Sequence, residues 1–205
     1  MSRVKGRTIL VCALGLCGLV AYGVAARARH FWPFPIRDEQ DRVLAYRAME
    51  LHRAHHFSEA AALYREALAL REDPETRANL ARSLAAAGDS TQAAAEFQRA
   101  LADDGTNGAL WHDYGLLLEG GLKDLAAAEE ALFNATKYAP NLGEAQFDLG
   151  RVLLARERWD EAKACLEAAI NLAPPRAAWL EEAQQKLVFA HLHGARAAQG
   201  APKKP

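Results

Sequence analysis

Three histidines crowd the stretch LHRAHHFSE, residues 51–59. His52 and His56 are four apart, a spacing that sets two imidazoles on one helical face, where they could share a metal ion. His55 lies between them, and Glu59 could add a carboxylate ligand. That set would imply metal binding or metal-assisted chemistry. The carboxylate pairs Glu129-Glu130 and Glu181-Glu182 could in principle do acid–base work. Adjacent residues on a helix point in different directions, so neither pair converges on one substrate atom, and both read as solvated surface. The sequence has no Gly-rich phosphate loop, no CxxC pair and no nucleophile elbow. The histidines therefore depend on the element that carries them.

Charge divides the 205 residues into two unlike parts. Residues 1–37 hold six basic residues and no acidic one; the remainder holds 19 basic and 26 acidic residues, so an arm at +6 precedes a body at -7. An acidic body gives no footprint for nucleic acid. Within the arm, Thr8 to Ala26 is uncharged over 19 residues, about 28 Å as a helix and long enough to cross a bilayer. Basic residues bracket it, and His30, Phe31 and Trp32 suit the interface, while Pro33 and Pro35 stop the helix. The expectation is a short basic tail (1–7), a retained signal anchor (8–26) and a juxtamembrane linker (27–40). Ala26-Arg27-Ala28 also has the small-x-small form of a signal-peptide cleavage site; an Arg inside it and the long apolar run favour retention.

Basic residues on the two flanks nearly balance, so the positive-inside rule leans little; the short N-terminal tail and signal-like layout favour the N-terminus inside. The body would then lie on the periplasmic side of a bacterial inner membrane. Ala13, Cys17, Ala21 and Ala25 recur every four residues as a stripe of small side chains. Membrane helices associate where small residues let backbones approach, so this stripe is a candidate for self-association or for docking on other membrane helices. Cys165 stands alone in the body, which therefore has no internal disulfide framework.

The body repeats itself. Numbered from Gly143, Leu149-Gly150 take positions 7 and 8, Leu153 position 11, Ala162 position 20, Leu166 position 24, Ala169 position 27 and Pro174 position 32. From Gly108, Trp111 takes position 4, Tyr114-Gly115 positions 7 and 8, and Leu118 position 11; after one extra residue near Gly120-Gly121, Ala128, Leu132, Ala135 and Pro140 follow in register. From Pro74, Leu80-Ala81, Leu84, Ala93, Phe97 and Ala100 fit the same frame, and from Asp41 so do Ala48, Leu51, Ala60, Tyr64 and Ala67.

This pattern resembles the tetratricopeptide repeat, a helical hairpin of about 34 residues. A single hairpin cannot bury its own apolar face, so neighbours must stack into a continuous core. Small residues at positions 8, 20 and 27 let the two helices of a hairpin, A and B, approach; large ones at 4, 7, 11 and 24 fill the space between. The resemblance implies an all-α fold: a right-handed superhelical array of four hairpins (41–73, 74–107, 108–142, 143–176) behind one transmembrane helix. RAAWLEEAQQKLVFAHLHG predicts a capping helix over 177–193, apolar along Leu180, Ala183, Leu187 and Ala190 and polar along Glu181, Glu182 and Gln185. Residues 194–205 read as a disordered tail. Asp73-Pro74-Glu75 reads as N-cap, N1 proline and acidic first turn, and Gly88 as a helix stop.

The frame also answers the metal question. His52 falls at position 12 and His56 at position 16, across the turn between helices A and B, so helical spacing between them is broken and solvated turn residues are expected. The readings that remain are an interaction scaffold with neither cofactor nor catalytic site and, within it, a constitutive subunit of a membrane complex docked through its transmembrane helix. A metal-binding or enzymatic protein using His52, His55 and His56 is the weaker alternative.

The resemblance implies protein binding on the concave face, lined by helix A positions 2, 5, 9, 12 and 13, and roles such as assembly of envelope machinery. Carried over, these positions are Arg42, Met49, His52 and Arg53 in the first repeat, Arg82 in the second, His112 and Leu116 in the third, and Phe147, Arg151 and Leu154 in the fourth. Such a face suits an extended or helical segment with carboxylates and a few apolar anchors. Alternatively, the arginines pair with Glu75, Glu119 and Glu144 and keep the face soluble. The Lys/Asn clamp of chaperone-binding members is replaced by Ala78 and Arg82 at positions 5 and 9 of the second repeat, which argues against that role.

Overall fold

The computed structural model describes residues 39–200, with side chains placed through Ala195. The apolar run 8–26, with Ala13, Cys17, Ala21 and Ala25, lies outside the described residues, as does the sequence after Gly200. Among the described residues all regular structure is helical, in four successive hairpins. They are α1 (Gln40–Arg53) with α2 (Phe57–Leu70), α3 (Pro74–Ala86) with α4 (Ser90–Asp103), α5 (Gly108–Leu117) with α6 (Leu125–Tyr138), and α7 (Gly143–Ala155) with α8 (Trp159–Leu172). A final helix, α9 (Leu180–Gly200), lies mainly on α8. No helix among the described residues is long and apolar enough to cross a membrane.

Local chemistry starts and stops these helices where the frame requires. Asp73, Asp89, Asn107 and Asp124 each accept a hydrogen bond from a first-turn backbone N–H, as N-caps do. The hydroxyl of Thr76 also donates to Asp73, and this bond is the main reason its carboxyl titrates below the usual range. The turn from A to B needs one left-handed residue at position 15 of every repeat: His55 (φ 64), Gly88 (φ 89), Lys123 (φ 59) and Glu157 (φ 59). Only the second repeat places there the residue that bears this conformation without strain.

Each hairpin closes around a small residue at position 8 facing a large one at position 24. Ala48 faces Tyr64 and Ala81 faces Phe97, all 2% exposed or less. The later repeats hold Gly115 against Leu132 and Gly150 against Leu166; a Cβ added to either glycine would come within 3.0 Å of its leucine. The planar rings leave room for a methyl that branched leucine does not. Positions 3, 7 and 10 are buried against the preceding repeat in the second, third and fourth units, by Thr76, Leu80 and Ser83, then Leu110, Tyr114 and Leu117, then Ala145, Leu149 and Val152. In the first repeat these positions are Val43, Arg47 and Glu50, and both charged residues are exposed.

Two features depart from the sequence expectation. The extra residue of the third repeat is taken up as a π-helical turn at the end of α5 (Leu118–Leu122), where Asp124 N–H reaches back to the Leu118 carbonyl at 2.9 Å. Gly120 and Gly121 supply the needed slack; a Cβ on Gly121 would strike Ser90 Oγ at 2.5 Å. At the far end, the capping helix starts at Leu180, three residues later than expected, and runs on to Gly200. Residues 194–200, read as tail, continue it, because Gly194 alone does not end a helix in Ala-rich sequence and the first proline beyond is Pro202.

Candidate functional site

Helices α1, α3, α5 and α7 are the A helices, and α1 touches α3 directly, as α3 touches α5. On this inner side four of the predicted polar residues, His52, Arg82, His112 and Arg151, are tied to the neighbouring repeat. His52 Nδ1 lies 2.9 Å from Ser83 Oγ. Ser83 donates its own proton to the Asn79 carbonyl at 2.8 Å, so the imidazole N–H is the donor to Ser83. Arg82 donates through Nε to Asp113 at 2.6 Å and through Nη1 to Asn79 Oδ1 at 2.9 Å. His112 Nε2 meets Asp148 Oδ2 at 2.7 Å. Arg151 reaches back to Glu119 and sets its Nε 3.2 Å from Asp148 Oδ1, close enough for charge attraction but off the line of a hydrogen bond. The result is a polar seam, one link per repeat, that fixes the spacing of the A helices.

Sequence reasoning missed three acceptors of this seam: Ser83, Asp113 and Asp148. A signal existed, since each lies 31 to 36 residues from its partner, about one repeat away. Of the carboxylates expected to neutralise the inner arginines, Glu119 does so for Arg151. Arg82 turns to Asp113 instead of Glu75, because helix-to-helix reach is set by the stacking offset and not by nearness in sequence.

Two clefts open between the A helices. The first, about 340 Å³ between α1 and α3, is lined by Arg42, Tyr46, Met49 and Asn79, with Tyr64 and the Asp41–Arg71 ion pair. Arg42 is exposed and has no ion pair among the described residues, and Tyr46 is 60% exposed. The second, about 530 Å³ between α3 and α5, has Ala85, Phe97 and Leu117 as an apolar lining, Leu116 and Arg82 at its sides, and Gly120-Gly121 of the π-turn along one edge. Thus Arg42 and Met49 share one cleft, and Arg82 and Leu116 share the other. Arg53 is solvent-facing and paired with Glu50 at 2.8 Å, away from both. In the fourth repeat the face is already covered: Phe147 is 5% exposed beneath the stacked ring of Trp179, 5.5 Å away, and Leu154 is half-buried. His112, at 8% exposed, is a packing residue of the seam.

The three histidines do not converge. His52 is committed to Ser83, His56 bonds Glu59 at 2.9 Å, and His55 occupies the left-handed turn with its ring edge-on to Phe57. No group of three or more metal-ligating side chains forms among the described residues. Burial, with weaker repulsion from Arg82 and His55, holds the His52 pKa below its ordinary value. Cys165 is half-buried and lines an outer cleft with Phe133, and desolvation pushes its thiol up to about 11, leaving it a poor nucleophile at neutral pH.

The profile of the tetratricopeptide repeat family matches residues 51–115 and 121–187, more than half of the chain. The chain belongs to the tetratricopeptide repeat family. Its fold is the all-helical, superhelical interaction scaffold of that family. Solved structures similar to this tetratricopeptide repeat protein include MamA residues 41 to the end from Desulfovibrio magneticus RS-1, at 18% identity and TM-score 0.62, covering 78% of this chain and 94% of that one. A second MamA crystal structure is similar at 18% identity and TM-score 0.63, covering 82% and 100%. The type III secretion chaperone SycD of Yersinia enterocolitica, solved with a peptide of the translocator YopD, is similar at 17% identity and TM-score 0.53, covering 58% and 92%. These likenesses concern the fold. No curated protein matches the chain by sequence.

Proposed function

We propose that this chain is a membrane-anchored tetratricopeptide repeat scaffold that holds a partner protein during assembly of an envelope or membrane complex. Residues 8–26 anchor it, and the repeats lie on the periplasmic side of a bacterial inner membrane. The partner segment lies across the inner clefts of the first three repeats, with a carboxylate toward Arg42 and apolar side chains in the two clefts. The observation that carries this reading is the pair of open clefts between successive A helices, where Tyr46 and Leu116 remain 60% and 37% exposed although apolar. Exposed apolar groups beside a guanidinium with no ion pair among the described residues fit a docked segment better than a solvated face. The fourth repeat takes no part, since Trp179 fills its inner face.

A photo-crosslinker at position 46 or 116 of the full chain in native membranes should trap one protein, and a crosslinker at exposed Phe133 on the outer side should not. Arg42→Glu combined with Leu116→Asp should abolish that capture with helical content and melting unchanged. Undiminished capture by the double variant would sink the inner-face reading. A second reading, a constitutive subunit docked through Ala13, Cys17, Ala21 and Ala25, rests on their four-residue spacing. Ala21→Leu should then weaken association in a membrane two-hybrid assay, and equal association would reject it.

A further inference from the structure

The floor of the first inner cleft carries a polar group that the fold does not use. Tyr64 reaches from α2 to line the cleft between α1 and α3, yet the residue is 2% exposed. Its ring does the packing work of position 24, opposite Ala48. The second repeat fills that role with Phe97, 1% exposed, which has no hydroxyl. The Tyr64 oxygen is therefore extra to the hairpin. It makes no hydrogen bond among the described residues, whereas the hydroxyl of Tyr114 accepts from Gln98 at 2.9 Å. Nor is it sealed inside: the fully buried side-chain polar atom left without a partner among the described residues is Arg151 Nε, so the Tyr64 oxygen keeps an opening, and the cleft is the opening beside it. A polar group held this deep costs free energy until something bonds it.

A second polar group lines the same cleft. Asn79 is half-buried on α3, and its Oδ1 accepts from Arg82 Nη1 at 2.9 Å. That bond fixes which end of the amide is oxygen and leaves the Nδ2 protons as donors without a partner among the described residues. The walls are the apolar surfaces of Ala45, Tyr46 and Met49. The charged lining sets three carboxylates, Asp41, Asp73 and Glu75, against two guanidinium groups, Arg42 and Arg71. Arg71 is taken by Asp41 at 2.6 Å, and Arg42 is exposed at the mouth. A carboxylate driven to the floor would lose its water amid an excess of negative charge. A primary carboxamide suits it: its carbonyl accepts from the Asn79 amide, its N–H donates to the Tyr64 oxygen, and an aliphatic stem covers the walls. Burial holds the Tyr64 pKa above its ordinary value, against the opposing charges of Arg82 and Arg53, so the hydroxyl keeps its proton at neutral pH.

We propose that the first cleft is a glutamine-recognition subsite for the partner segment, with the Tyr64 hydroxyl and the Asn79 amide as its hydrogen-bonding floor. The inference rests on the inner-face reading above and sharpens it. The side chain that enters this cleft is a carboxamide on an aliphatic stem, and the segment's carboxylate stays at the mouth with Arg42.

The test is selection of short peptides from a random display library on the full chain in detergent, followed by fluorescence anisotropy of the tightest selected peptide. Glutamine should be enriched at one position, and replacing it by glutamate or leucine should weaken binding about tenfold. Tyr64→Phe should weaken the glutamine peptide by a similar factor and leave the leucine peptide unchanged. Melting of Tyr64→Phe should match the parent, because Phe97 packs the same position without a hydroxyl. Three results would overturn the subsite: no enrichment, enrichment of an acidic or purely apolar residue instead, or equal binding of the glutamine peptide by the parent and Tyr64→Phe. If Arg42→Glu with Leu116→Asp still abolishes binding in those cases, the inner-face reading survives and the subsite alone falls. Peptide binding indifferent to that double variant would sink both.

Discussion

Gly150→Ala tests the packing rule on which every hairpin depends. An added Cβ would sit 2.8 Å from Leu166 Cγ and 3.0 Å from its Cδ2. Leu166 is 0% exposed at the centre of the α7–α8 contact and cannot swing away. Overpacking of this kind costs about 1–3 kcal/mol. Replacing Gly by Ala inside a helix returns about 1 kcal/mol of propensity, so the net loss should be about 1 kcal/mol. For a body of this size that is a fall in Tm of about 2–4 °C. The first two repeats point to a rescue, since they hold Ala at position 8 opposite Tyr64 and Phe97. Gly150→Ala with Leu166→Phe should therefore be more stable than the sum of the single changes by about 1 kcal/mol of coupling. Thermal melting of the full chain in detergent, followed by far-UV circular dichroism, measures all four corners of the cycle. The reasoning is refuted if Gly150→Ala melts at or above the parent temperature, or if the two changes simply add.

The turn residues give a second test. Gly88→Ala should cost about 1 kcal/mol although an added Cβ there meets nothing within 4 Å, because the penalty lies in φ alone; Glu157→Gly should be neutral or stabilising by up to about 1 kcal/mol, and the reverse ordering in urea titrations would contradict this. The depressed His52 pKa means that the unfolded chain binds the proton first, so stability should be full above the ordinary value of 6.5 and fall as pH drops below it. His52→Gln should flatten that part of the Tm–pH curve, and an unchanged slope would rule His52 out as its source. Arg151→Ala should cost about 1–3 kcal/mol, since it strips a partner from the partly buried carboxylates of Asp148 and Glu119, whereas Arg53→Ala, in an exposed pair, should change stability by less than about 0.5 kcal/mol. Equal losses at both sites would show that burial does not govern the seam.

What was legible in the sequence was whatever a repeat can state locally. Ala48, Ala81, Gly115 and Gly150 at one position, with Tyr64, Phe97, Leu132 and Leu166 at another, specify a hairpin, because close approach needs a small residue opposite a large one wherever it occurs. The same frame put His52 and His56 on either side of a turn, and so dissolved a spacing that on one helix would suit a metal. Caps such as Asp73 were readable for the same reason: an N-cap bonds a backbone group three residues away.

The tertiary structure decided what depends on the offset between repeats. Arg82 meets Asp113, and His112 meets Asp148, only because stacking slides position 9 or 5 of one A helix beside position 6 of the next. No single-repeat pattern carries that displacement. Trp179 over Phe147 is a case of the same kind, for the connection after the last repeat folds back across the inner face, and residue types alone do not say where an irregular segment lands. The outer face of α9 is the last such case. The helical period already sets Leu180, Ala183, Leu187 and Ala190 on one side, but only the packing on α8 shows that Val188 and Leu192, apolar as well, are left to water, because burial belongs to the contact between elements and not to the element itself.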